Sequence, residues 1–356
     1  MTMNAAVYHS FGGPIRVERV PVPQAPPDGV VIEVKATGVC RSDWHGWKGH
    51  DSDILAHGLP FVPGHEVSGI VVETGPLVKN VFIGDHVAVP FILSCGSCTA
   101  CHASRPTICH RQEQPGFTQW GSFAQFVALP RADRNLRMIP KGVTFVEAAA
   151  LGCRFTTAYR AVLQQGRLKS GETVAVFGCG GLGLSCIMLA QGASIIIAID
   201  VNVAALEKAK TLGATHTIHV SSDEQVRAEV WRISRNEGVD VAIDAAGVPS
   251  SCENAVYCTR RAGRMVQVGL PIGGRPPLVP MGLVASRELE LIGSHGFAAR
   301  DLPDLLGMVA DGRLTPMSLV EQCVTLEQGA QTLMDMDHIS PLGMTVITDF
   351  GGGSKL

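Results

Sequence analysis

The sequence contains no apolar run of the roughly 18 residues that a membrane-spanning helix requires. Its best candidate, Leu184 to Ile199, is broken at Gln191–Gly192. No membrane partner is therefore expected. A long basic run is missing too. The 29 Lys and Arg stand against 32 Asp and Glu, for a net charge of −3. That balance argues against nucleic acid as a partner, because phosphate binding draws on clustered positive charge. The opening stretch MTMNAAVYHSFGG has no basic segment followed by an apolar one, so no secretory address is expected. Charged residues make up only 17% against 46% hydrophobic, which speaks against disorder and for a soluble globular chain, expected in the cytoplasm.

The 356 residues exceed what one hydrophobic core usually organises, so two domains are expected. Residues 1–130 read as β-rich and turn-rich. Short β-prone runs (Ala5–Tyr8, Val30–Ala36, Ser68–Glu73, His86–Pro90) alternate with Gly/Pro clusters, and no helix of convincing length stands out. Thr144–Leu163 has helical spacing. From Thr173 the chain alternates strand and helix: ETVAVFG, LGLSCIMLAQGA, SIIIAID, AALEKAKTLGA, then VDVAIDAAG and GRMVQVGL. Repeated βαβ units predict a doubly wound parallel sheet with helices on both faces. After about 297, a helix (Leu302–Asp311) leads through polar turns to a last strand, Met344–Thr348.

There are eleven cysteines, and four crowd together: Cys95, Cys98, Cys101 and Cys109, in the pattern C-x2-C-x2-C-x7-C. Two-residue gaps let successive thiolates turn back onto one ion, and a fourth ligand closes a tetrahedron. Four thiolates leave no open position, so the pattern predicts a structural zinc rather than a reactive one. A nucleic-acid zinc module would want more basic and aromatic neighbours than Arg105 and Arg111 supply.

A second set is weaker residue by residue: Cys40 in GVCRSDWH, His65 and Glu66 in PGHE, Cys153 in LGCRFTTAY. Two Cys and one His on a single ion would leave its fourth position free, the geometry of a catalytic zinc. A third signal is Gly178-Cys179-Gly180-Gly181-Leu182-Gly183, placed between a strand and a helix. There the glycines let backbone approach a pyrophosphate at the helix N-terminus. Asp200 ends the next strand. A carboxylate at that place accepts hydrogen bonds from both ribose hydroxyls and repels a 2′-phosphate, which favours NAD over NADP.

Taken together and in order, these motifs resemble the zinc-dependent medium-chain alcohol dehydrogenase family over essentially the whole chain. Val268-Gly269-Leu270 adds to the match. The resemblance implies an α/β protein with a GroES-like β-rich catalytic domain at 1–154, a Rossmann NAD-binding domain at 155–297, and a return to the first domain at 298–356. It implies one catalytic and one structural zinc per subunit. Cys40, His65 and Cys153 would hold the catalytic ion, with Glu66 beside it as a catalytic or alternative ligand. Asp43 would fix the angle and tautomer of His65. Ser42 would take the alcohol proton and His45 would be its terminal acceptor. Arg41 would face the pyrophosphate, and Thr157, Val268 and Ser294 the nicotinamide. Trp44, Trp47 and Phe91 would line the substrate pocket.

Two family features are missing. The usual C-terminal G-R-x-V is here Gly343-Met344-Thr345-Val346, and the lysine expected five residues after the ribose-binding acid is Ala205. The short stretch between Cys109 and Cys153 resembles the tetrameric microbial type, so a homotetramer is expected, with a homodimer as the alternative. Other zinc dehydrogenases of the superfamily, acting on polyols, threonine or formaldehyde adducts, stay open as readings. So does a non-catalytic NAD-binding protein. The final Ser354-Lys355-Leu356 matches a peroxisomal address, meaningful only in a eukaryote.

Overall fold

A computed structural model of the chain describes residues 1–271 and 275–351. Ser354-Lys355-Leu356 lies outside the described residues. The chain divides into two compact units: Met1–Thr156 together with Gly296–Leu356, and Thr157–His295. No helix among the described residues is long and apolar enough to cross a membrane.

The Thr157–His295 unit holds a six-stranded sheet. Its spatial order is His216–His219, Ile195–Asp200, Thr173–Phe177, Val239–Asp244, Thr259–Gln267, Glu290–Gly293, and every pairing is parallel. Strands such as TVAVF and IIIAID are buried along nearly their whole length, as expected where helices cover both faces. The chain order reverses between Thr173–Phe177 and Val239–Asp244. In sheets of this kind ligands bind at the carboxyl ends of the strands beside that reversal.

The other unit is built on a seven-stranded sheet. Along it lie Val320–Thr325, Met344–Asp349, Val30–Gly38, Glu66–Thr74, His86–Val89 and Arg137–Met138, with Phe126–Leu129 pairing the first part of Val30–Gly38. Thr2–Tyr8 and Ile15–Pro21 form a separate hairpin. Three of the four β-prone runs of the first 130 residues fall within observed strands, and the fourth, His86–Pro90, overruns the strand His86–Val89 by one residue. Two helices there, Arg41–Trp47 and Ser52–His57, are too short for apolar periodicity to reveal. Residues 312–343 were expected as turns. They hold the strand Val320–Thr325 and the helix Leu326–Asp335. The helix start is signed by a capping box: the Thr325 hydroxyl accepts the Gln328 N–H, and the Gln328 side chain accepts the Thr325 N–H.

The strand Glu66–Thr74 begins immediately after Gly64-His65, and Gly64 sets the entry. Its φ is +109°, and a Cβ there would sit 2.5 Å from Phe123 Cδ1 and 2.8 Å from the Phe123 nitrogen. Gly84 also has positive φ, +94°, but nothing lies within 4 Å of its added Cβ. Gly64→Ala is expected to lose roughly 2–6 kcal/mol, combining backbone strain and overpacking. Gly84→Ala should lose only the strain part, about 1–3 kcal/mol. Equal urea midpoints for the two variants would show that the close approach at Gly64 carries no cost.

Candidate metal centres and dinucleotide site

The sulfurs of Cys95, Cys98, Cys101 and Cys109 all lie within 4.8 Å of one another. A tetrahedron built on Zn–S bonds of about 2.3 Å has edges of about 3.8 Å. The Cys98–Cys109 sulfur separation is 3.7 Å. Backbone N–H groups already point at the sulfurs: Ser97 onto Cys95 at 3.4 Å, and Cys95 and Arg111 onto Cys109 at 3.3 and 3.4 Å. The Ser97 N–H is the main reason the Cys95 thiol is held down to about 5. The Arg111 guanidinium adds a contact of 3.6 Å to the Cys95 sulfur. Donor type, spacing and N–H···S support fit zinc.

The second set converges as well. Donor atoms of Cys40, His65, Glu66 and Cys153 lie within 4.8 Å of one another, although 113 positions separate the outermost two in sequence. Cys40 precedes the helix Arg41–Trp47, His65 precedes the strand Glu66–Thr74, and Cys153 sits in the π-helical turn Leu151–Phe155. Wide turns of this sort recur at functional sites. Asp43, wholly buried, joins the first two: its carboxylate accepts the Cys40 N–H at 3.0 Å, the Gly64 N–H at 3.0 Å and His65 Nδ1–H at 2.8 Å. A carboxylate can only accept, so in the neutral imidazole the proton is on Nδ1 and Nε2 presents a lone pair. Nε2 is buried and has no hydrogen-bond partner. A buried acceptor without a partner is costly and asks for a ligand. The hydrogen bond with Cys153 holds the Cys40 thiol well below its ordinary range, so thiolate is the form that meets a cation. Two sulfurs and one imidazole nitrogen fit zinc with a position to spare.

Around these donors lie residues of three kinds. Phe91 and Phe117 set their rings edge-on to His65, at centroid distances of 6.0 and 5.1 Å. Phe117 carried no motif, and nothing in the sequence singled it out. Glu66 is fully buried; burial raises its carboxyl to about 7, against the opposing pull of the Arg154 guanidinium. Arg154, also unmarked in sequence, lies 3.6 Å from Glu66 Oε2.

The helix after Cys40 distributes the rest. Ser42 is half-buried on its first turn. His45 Nδ1 is 3.2 Å from His50 Nδ1, and burial, then the positive Arg41, pushes the His45 imidazole below its ordinary value. Arg41 stacks on the Trp44 ring at 3.8 Å and donates to the Met336 carbonyl at 2.6 Å. Trp44 donates its N–H to Asp337 at 2.8 Å. Trp47, expected on a pocket wall, instead packs in the hydrophobic core and donates to the Gly13 carbonyl at 2.7 Å. A tryptophan at the last position of a seven-residue helix cannot be assigned to core or wall from sequence alone.

In the other unit, Thr173–Phe177 runs into Gly178 and the helix Gly181–Leu189, whose N-cap is Gly180 and whose first turn holds Leu182. Gly183 packs so tightly that an added Cβ would sit 1.8 Å from the Gly178 carbonyl oxygen. Gly180, by contrast, has open space where a Cβ would go. The helix end is therefore braced from behind and clear in front, as an anion site requires. Asp200 Oδ2 accepts the Cys179 N–H at 2.5 Å and Oδ1 the Asn202 N–H at 2.8 Å, and each oxygen retains lone-pair capacity. Val268 and Ser294 immediately follow two neighbouring parallel strands, and the Ser294 hydroxyl is buried without a partner. Thr157 is buried. Sequence reasoning missed Asp244. Its carboxylate accepts N–H groups of Ala246 and Gly247, the Ser251 hydroxyl and the Gln267 amide, and so shapes the loops at the reversal point.

Comparison with known proteins agrees with this geometry. A family model described as "Alcohol dehydrogenase GroES-like domain" matches residues 26–141, and one described as "Zinc-binding dehydrogenase" matches residues 181–311. An alcohol dehydrogenase of Geobacillus stearothermophilus is 33% identical over 88% of this chain and 90% of its own. A sorbitol dehydrogenase of Bacillus subtilis (strain 168) is 33% identical over 92% of this chain and 91% of its own. Among solved structures, benzyl alcohol dehydrogenase from Acinetobacter calcoaceticus superposes with a TM-score of 0.88 at 27% identity, covering 98% of this chain and 99% of that one. Two others carry a dinucleotide. An alcohol dehydrogenase from E. coli CFT073 holds NADH (TM-score 0.87, 25% identity, 98% and 99% covered), and a zinc-binding dehydrogenase from Sinorhizobium meliloti 1021 holds NADP (TM-score 0.87, 26% identity, 98% and 99% covered). With both domains matched in order and both cysteine sets assembled, the chain belongs to the zinc-containing medium-chain alcohol dehydrogenase family.

Proposed function

We propose that this protein catalyses the reversible NAD-linked oxidation of a primary or secondary alcohol to an aldehyde or ketone. In this reading Cys40, His65 and Cys153 hold the catalytic zinc, and Cys95, Cys98, Cys101 and Cys109 the structural one. The observation that carries it is His65 Nε2: buried, partnerless, held by Asp43 and grouped with two thiols. When bound, zinc in such a site polarises the oxygen of an alcohol or carbonyl, and the nicotinamide accepts or returns the hydride.

The chain's own groups then do the following. Asp43 keeps the proton on Nδ1 of His65, so that Nε2 stays a donor to the metal. Ser42 takes the alcohol proton at Oγ. His45, kept neutral near pH 7 by burial and by Arg41, is the base that accepts a proton and passes it to solvent. Phe91 and Phe117 beside His65 exclude water from the metal. Asp200 selects NAD by accepting from ribose hydroxyls and repelling a 2′-phosphate. Ser294 offers its unpartnered hydroxyl to the nicotinamide. A homotetramer is the proposed assembly.

A polyol is the second reading, favoured by the sorbitol dehydrogenase match. Initial rates on ethanol, benzyl alcohol and sorbitol with NAD decide between them.

Three outcomes are expected. Cys40→Ser should abolish turnover and leave one zinc per subunit, in the quartet; turnover at the normal rate would remove Cys40 from the metal. Asp200→Gly should bring kcat/KM with NADP up relative to that with NAD, and an unchanged ratio would end the ribose assignment. For His45→Ala the sign is fixed by the depressed pKa. Wild-type His45 stays neutral, and so able to accept, to lower pH than an ordinary histidine. Its loss should therefore slow oxidation most at low pH, with small amine bases restoring part of the rate. A pH–rate profile identical to wild type would take His45 out of proton transfer.

A further inference from the structure

Glu66 and Arg154 form a buried ion pair alongside the three proposed zinc donors. Glu66 Oε1 accepts the N–H of Cys153 at 3.1 Å, and Oε2 lies 3.6 Å from Arg154 Nη2. Arg154 in turn donates to the carbonyl of Val39, the residue before Cys40. The Val39 N–H is itself fixed, onto the Thr345 carbonyl at 2.9 Å. The Glu66 side chain has little room to swing. A Cβ on Gly38 would lie 2.2 Å from Oε2, and one on Gly152 would lie 2.5 Å from Glu66 Cβ. One carboxylate oxygen falls within 4.8 Å of the sulfur and imidazole donors, close enough to compete for the ion. Yet Oε1 is engaged by the Cys153 N–H, and Oε2, which has no hydrogen-bond partner, is paired in charge with the guanidinium.

We infer that Glu66 and Arg154 act together as a strut that ties the backbone of Cys153 to the backbone leading into Cys40, setting the spacing of the two sulfur ligands, and that Glu66 is a positioning residue rather than a zinc ligand. The chain of contacts is continuous: Cys153 N–H, Glu66, Arg154, Val39 carbonyl, Cys40. Each end meets the peptide unit beside a ligand, so a shift of either charge moves a sulfur. Burial of two charges is tolerated because each faces the other and each also bonds to backbone. The inference rests on Cys40, His65 and Cys153 being the zinc site.

The test is zinc release from the purified zinc-loaded protein to a chromophoric chelator. Cys40→Ser identifies which phase belongs to this site. Arg154→Met and Glu66→Gln should each speed release of that zinc by roughly 10- to 100-fold, the range for residues that orient ligands. The quartet zinc should leave at its wild-type rate. Arg154→Lys, which keeps the charge, should fall between Arg154→Met and wild type. The double variant should release no faster than the faster single, as expected when two residues form one unit. With cobalt at the site, the ligand-field bands of Glu66→Gln should keep their wild-type positions, because no donor is lost. Shifted bands, or wild-type release from Arg154→Met, would overturn the strut. Should Arg154→Met fail to fold, shown by loss of the quartet phase, Glu66→Gln and Arg154→Lys carry the same test, and wild-type release from Glu66→Gln overturns it. Two tightly held zinc ions in Cys40→Ser would instead sink the metal assignment on which the strut depends.

Discussion

The buried carboxylate of Asp43 accepts three hydrogen bonds from three places in the chain: the Cys40 N–H, the Gly64 N–H and His65 Nδ1–H. Cys40 lies at the start of a helix and His65 at the start of a strand, and Asp43 is the covalent neighbour of neither ligand's side chain. Its position three residues after Cys40 lets it fold back onto the Cys40 N–H as the helix turns. Its second oxygen then reaches Gly64 and His65. Without it, three buried donors would lose their acceptor together, a far larger loss than one hydrogen bond is usually worth. The glycine at 64 follows from the same contact. A side chain there would strike Phe123, so the backbone can come close to Asp43 only where no Cβ intervenes.

The two cysteine sets solve different charge problems. Four thiolates around a dication leave two negative charges over. Such a centre is poorly suited to a deep interior, because an uncompensated buried charge is expensive. Accordingly two of the four, Cys95 and Cys98, are only half-buried although Cys101 and Cys109 are buried, and N–H groups together with Arg111 point at the sulfurs. Two thiolates and a neutral imidazole balance a dication completely. That centre tolerates the apolar company of Phe91 and Phe117 and the near-complete burial of Cys40 and His65. Neutral donors and apolar walls are also what a reactive metal needs, since excluding water strengthens its pull on a bound oxygen.

What could be read from sequence followed from how local the signal was. The quartet, the glycine loop and the βαβ alternation are each contained in a few neighbouring residues, and the structure reproduces them. Cys40, His65 and Cys153 became legible only as a set. Arg154 and Phe117 stayed invisible because their roles depend on partners 88 and 52 positions away, Glu66 and His65. Trp47 was misplaced for the opposite reason. Its neighbours Trp44 and His45 are only partly buried on the same seven-residue helix, and three-residue spacing cannot say where such a short helix turns inward. The helix Leu326–Asp335 could have been found, because its Thr-x-x-Gln capping box is written in the sequence.

Asp200 shows in the second unit what Asp43 shows in the first. Both carboxylates hold backbone N–H groups of the loop they serve: Cys179 and Asn202 in one case, Cys40 and Gly64 in the other. Both keep acceptor capacity for a further partner. A side chain fixed by its own backbone contacts loses little freedom when a ligand arrives, so more of the ligand's interaction energy appears as affinity and alignment. The cost is rigidity. The glycines flanking each carboxylate, Gly64 at one site and Gly178 at the other, have positive φ and neighbours that leave no room for a side chain. Sequence change is therefore confined at the same positions where the geometry is prepared in advance, and variation in substrate must come from residues outside these two frames.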